Sequence, residues 1–83
     1  MTKAELGPFL YRLDVPPHLY RVDGTHCHGA NVLAEDEDAW VVFVSERGDR
    51  CGAVSFDNER DACTYFLGRL FEDLAARGRL RVD

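Results

Sequence analysis

Two segments decide what this chain can become: the unbroken apolar run Ala39-Trp40-Val41-Val42-Phe43-Val44, and the recurrence of Ala62, Cys63, Phe66, Leu67, Leu70, Phe71 and Leu74. The first is rich in β-branched and aromatic residues and apolar on both faces, the pattern of a central strand. The second repeats at three and four residues, which lays one apolar stripe along a helix and demands a flat apolar surface to pack on. Each segment supplies the surface the other needs. A sheet covered by a long C-terminal helix over residues 59–77 is therefore the expected core.

The rest of the chain extends this to an α+β order, α-β-β-β-β-α. Thr2 and Glu5 have the spacing of a capping box, opening a helix toward Leu13 whose stripe is Leu6, Phe9, Leu10 and Leu13. Gly7-Pro8 predicts a kink, or a start delayed to Pro8, because proline removes one helical hydrogen bond. Val15-Pro16-Pro17 ends the helix, with the prolines forcing extended geometry on what precedes them. Short strands follow at Leu19-Tyr20-Arg21-Val22 and over residues 30–35, then the strand at residues 40–45, a turn at Glu46-Arg47-Gly48-Asp49-Arg50, and a strand at residues 51–56 with Val54 and Phe56 on one face. Short connections favour a small antiparallel meander of about four strands. Asp57-Asn58 offers an N-cap for the last helix and Gly78 a C-cap, leaving residues 79–83 as a ragged tail.

With 83 residues, one domain spanning 1–83 is expected, near the lower limit for a self-sufficient core. Apolar residues at 46% and charged residues at 30% place the chain among globular rather than disordered sequences. No apolar run approaches the roughly 20 residues that span a bilayer, and the first residues lack a signal-peptide pattern, so a cytoplasmic protein without membrane association is expected. Cys27, Cys51 and Cys63, an odd number at irregular spacing, read as free thiols. A net charge of −5 argues against nucleic acid, whose binding needs a concentrated basic face, and favours a basic protein partner.

The residues with chemistry in them give no enzyme signature, and neither a catalytic set nor a cofactor or metal site is expected. His26-Cys27-His28 contains good zinc ligands but lacks a second ligand pair, so a polar loop is the default reading and a metal- or redox-responsive loop the alternative. A Cys-His nucleophile pair needs a third orienting group that nothing identifies. Cys63 lies on the apolar helix face, where it acts as a small core residue, and Cys51 stays open. Neither phosphate-binding glycine motif is present. The charged feature large enough to matter is Glu35-Asp36-Glu37-Asp38, which belongs either to a solvated hairpin connection or to a recognition surface that speeds encounter with a basic protein.

Three segments carry a resemblance: Leu19-Tyr20-Arg21-Val22-Asp23-Gly24, Ala39-Trp40-Val41-Val42-Phe43-Val44-Ser45-Glu46-Arg47-Gly48, and Phe56-Asp57-Asn58-Glu59-Arg60-Asp61-Ala62-Cys63-Thr64-Tyr65-Phe66. Together they resemble a group of small bacterial proteins with the pattern Y-S-L-x-G, W-x-V-Y-Y-S-E-R-G and F-x-x-E-x-E-A-C-x-Y, associated with immunity proteins of polymorphic-toxin systems. Val42-Phe43-Val44, Arg60-Asp61 and the His26-Cys27-His28 loop depart from that pattern; they leave the fold expectation intact and give no reading of a toxin's identity. The resemblance implies a non-catalytic protein that binds and neutralises a cognate toxin. Partner contacts are expected at Glu35, Asp36, Glu37 and Asp38, and at Glu46 and Arg47, which have a structural alternative in bracing the strand end beside Gly48. Tyr20 or Trp40 is a candidate anchor at the sheet edge, although burial suits Trp40 better. A self-associating domain, dimerising through an exposed sheet edge, is a further alternative.

Overall fold

A computed structural model describes residues 1–78 as two helices and a four-stranded sheet in the order α-β-β-β-β-α. The tail expected over residues 79–83 lies outside the described residues. Helix α1 (Lys3–Arg12) runs without a break through Pro8, whose missing N–H leaves the carbonyl of the exposed Ala4 without its helical donor. Its start is capped twice. The Glu5 carboxylate accepts from the Thr2 N–H at 2.8 Å and the Thr2 hydroxyl at 3.0 Å, and the Lys3 N–H donates to Glu59 at 3.0 Å, tying the helix to the first residue of the last helix.

The end of α1 comes one residue earlier than its stripe suggests. Asp14 takes a left-handed conformation (φ 58°), and the N–H groups of Asp14 and Val15 close back on the carbonyls of Tyr11 and Leu10, a Schellman turn that packs Val15 near Leu10. Leu13 is consequently left 51% exposed instead of joining Leu6 and Leu10 in the core. The prolines then do more than extend the chain: Pro17–Leu19 forms a 3-10 turn that buries Leu19, so strand β1 is only Tyr20–Arg21.

Strands β2 (Asn31–Asp36), β3 (Ala39–Glu46) and β4 (Asp49–Phe56) form the antiparallel meander, but β1 pairs parallel to β2. The sheet is therefore mixed, in the order β1-β2-β3-β4. A parallel neighbour requires the chain to travel back along the sheet, and residues 22–30 do so across one face. Both hairpins are tighter than expected. Glu35 and Asp36 belong to β2, paired with Trp40 and Ala39, so the acidic connection shrinks to Glu37-Asp38. Likewise Glu46, Asp49 and Arg50 are strand residues around a two-residue turn, Arg47-Gly48.

Helix α2 (Glu59–Ala76) begins at Asn58, whose side chain accepts from the Asp61 N–H at 2.9 Å, and turns off at Gly78 (φ 72°). It lies over one sheet face, where Ala62, Cys63, Phe66, Leu70 and Leu74 pack with Leu33 and Val42 and with Leu6, Leu10, Val15 and Leu19. The opposite face carries a second, smaller core of Ala30, Val32, Ala34, Val41 and Phe43, roofed by the returning loop. This double burial is why β3 is apolar on both faces. Among the described residues no helix is long and apolar enough to cross a membrane.

Candidate functional site

The Ser45-Glu46-Arg47-Gly48 segment places four residues in four different roles at the end of β3. Ser45 is fully buried, and its hydroxyl meets His26 Nδ1 at 2.8 Å. Arg47 and Gly48 both have positive φ, 52° and 83°, which gives the hairpin the twist of a type I′ turn. The Arg47 N–H donates to His28 Nδ1 at 3.2 Å. Glu46 faces away from these groups, toward α2.

These contacts account for the His26-Cys27-His28 loop. The His26 ring tilts against Phe43 at 5.3 Å while satisfying Ser45, and His28 fastens the turn. Cys27 packs against the second core, with its thiol 3.7 Å from the His18 carbonyl. The three side chains thus reach three separate partners. Among the described residues no group of three or more His, Cys, Asp or Glu stands close enough to hold a metal ion. Phe43 is bounded on another side by the Arg50 guanidinium, 4.8 Å from the ring centre, which also pairs with Asp36 at 3.0 Å. Arg50 and Asp36 start from positions well apart along the ribbon. Between them β4 carries a bulge, where Gly52 (φ 62°) and Ala53 together oppose Phe43, a feature that bends a strand and increases its twist.

The six expected contact residues do not form one patch. Glu35, Asp36, Glu37 and Asp38 sit at one end of β3, and Glu46 and Arg47 at the other, about 20 Å of strand away. At the first end Asp36 is paired with Arg50, whereas Glu35, Glu37 and Asp38 are exposed and make no ion pair among the described residues. Trp40 and Tyr20 are half-buried against the main core, which limits either as an anchor. The large apolar side chains that do stand exposed are Met1, Tyr11 (77%) and Leu13.

The second end opens into a cleft of about 390 Å³ between the sheet and the last turns of α2, lined by Gly29, Asn31, Val44, Glu46, Arg69, Glu72, Asp73 and Arg77. Asp73 is bound to Arg77 at 3.0 Å. Asn31, only 3% exposed, donates a long hydrogen bond of 3.4 Å to Asp73. Sequence reasoning finds Glu46 but misses Asn31, Arg69 and Glu72, because they meet only when β2, β3 and α2 pack together. The helical periodicity that places Leu70 inward does put Arg69 and Glu72 at the margins of the packed face, and this is the one signal for them.

Cys51, opposite Val44 in the neighbouring strand, donates toward Glu46 at 3.7 Å. Partial desolvation first, then the carboxylates of Glu46 and Asp49, push its thiol up, away from the reactive thiolate. Burial does the same to Cys63 inside the main core. Scans against protein-family models, curated proteins and solved structures find no match to this chain.

Proposed function

We propose that this protein is a non-catalytic inhibitor that binds a bacterial toxin with a basic surface and holds it inactive in the cytoplasm, as its resemblance to immunity proteins implies. The observation that carries the reading is the β2–β3 hairpin end. Glu35 near the end of β2, and Glu37 and Asp38 in the two-residue turn, project three carboxylates that make no ion pair among the described residues, on a ribbon whose strands are fixed by six paired positions. Carboxylates held on a rigid ribbon present their charge with little ordering cost on binding, so they favour fast association with a basic partner. Such steering weakens as salt is added.

The test is co-expression with the toxin-like gene beside it, followed by co-purification and a growth-protection assay. Protection that falls when Glu35, Glu37 and Asp38 are changed together to lysine, with the slowed association masked at high salt, is the expected result. A neighbourhood without a toxin-like gene, or a toxin neither retained nor neutralised, overturns the reading. One observation favours a second reading, a homodimer: β4 is an outer strand of eight residues, exposed along much of its length. Light scattering across a range of concentrations tests it, and a persistent monomer counts against it.

A further inference from the structure

The cleft beside Glu46 has an imbalance of charge that its own side chains leave uncorrected. Of its five charged lining residues, Asp73 and Arg77 neutralise each other, which leaves Glu46 and Glu72 against Arg69. Glu46 also stands directly across the ladder from Asp49. Like charges in opposed positions cost stability, and no cation among the described residues pairs with either. At the cleft wall Asn31 is all but buried, and among the described residues its side chain makes one hydrogen bond, 3.4 Å long, to Asp73.

These groups are too widely spread to converge on one metal ion among the described residues. They suit an extended, planar cation whose donors point in several directions, and a guanidinium has five such donors. We infer that the cleft between β3 and α2 receives an arginine side chain of a protein partner, with Glu46 and Glu72 as carboxylate acceptors and the Asn31 side-chain oxygen as a neutral one. That this partner is a toxin rests on the reading above; the guanidinium chemistry rests on the cleft alone. The surface would then engage its partner at both ends of β3, with diffuse charge at the 35–38 end and a shaped pocket at the other.

The probe is a capped tripeptide, acetyl-Gly-Arg-Gly-amide, titrated into isotope-labelled protein and followed by amide chemical shifts. Saturable shifts at Asn31, Val44, Glu46, Glu72 and Asp73 are expected, weaker with the lysine peptide and lost with the citrulline peptide, which keeps the shape without the charge. Glu46→Gln and Glu72→Gln should each weaken the arginine peptide about fivefold, since both carboxylates are solvent-facing, while Glu37→Gln leaves it unchanged. The same spectra show that each variant is folded. No saturable shift, lysine binding as tightly as arginine, citrulline binding as well as arginine, or shifts centred on residues 35–38 would each overturn the inference. Failure here leaves the toxin reading to be judged by co-purification, and failure of co-purification leaves the cleft to be judged by the peptides.

Discussion

Replacing Phe43 with alanine tests whether the second sheet face is a true core. The ring is 2% exposed, enclosed by Val32 across the strand pair, His26 at 5.3 Å and Arg50 at 4.8 Å. Truncating a buried phenylalanine costs about 3–5 kcal/mol, through lost transfer energy and the cavity left behind. A domain of 83 residues has roughly 4–12 kcal/mol of total stability, so Phe43→Ala should leave the protein close to unfolding. Phe43→Leu keeps most of the apolar volume but loses the contacts with imidazole and guanidinium, and should cost about 1–2 kcal/mol. Urea unfolding followed by the fluorescence of the single tryptophan, Trp40, measures both. With a slope of about 1–1.5 kcal/mol per molar, a loss of 3 kcal/mol moves the midpoint down by roughly 2–3 M. A loss under about 1 kcal/mol for Phe43→Ala, at unchanged slope, would mean that residues 22–30 merely lie on the sheet without packing against it.

Arg47→Gly should stabilise the protein by about 0.5–1 kcal/mol, because it relieves a left-handed non-glycine residue while keeping the N–H that His28 accepts; a lower melting temperature would refute the turn assignment. Gly52→Ala should cost about 1–2 kcal/mol through backbone strain alone, since an added methyl would meet nothing within 4 Å, and chemical denaturation measures it. The Thr2 backbone and hydroxyl hydrogen bonds hold the Glu5 carboxyl below its ordinary value. A lowered folded value means that stabilisation is complete above the unfolded-state pKa and is lost as pH falls through the folded one. Wild type should therefore exceed Glu5→Gln in stability at neutral pH and converge with it in acid; a gap that stays constant on acidification would contradict the capping box.

Most of the architecture was legible because it rests on patterns that local chemistry imposes. The apolar run in β3 and the stripe along α2 each name their partner surface, and Asn58, Gly48 and Gly78 sit where a cap or a turn needs their conformations. What was not legible depends on distant contacts. The parallel β1 is set by where Leu19 is buried and by the return of residues 22–30, neither of which leaves a periodic trace. Glu35 and Asp36 look like loop residues by charge, yet pairing with Trp40 and Ala39 draws them into a strand whose side chains still reach water. The candidate site divides the same way: its charged residues can be read singly, but the separation of residues 35–38 from Glu46, and the approach of Arg69 and Glu72 to Asn31, exist only after β3 has a direction and α2 a resting place.

The hydrogen bond from Lys3 to Glu59 bears on the order in which the molecule is made. A chain synthesised from its first residue has α1 long before it has the surface α1 rests on, since Leu6 and Leu10 pack in a core shared with Leu33, Phe66 and Leu70. Until α2 emerges, those leucines lack the surface they pack on and the Lys3 N–H lacks its distant acceptor. Contacts that join residues so far apart are closed late and set the pace of folding. During synthesis the residues of the β-ribbon are therefore complete before the helix that covers Leu6 and Leu10 exists.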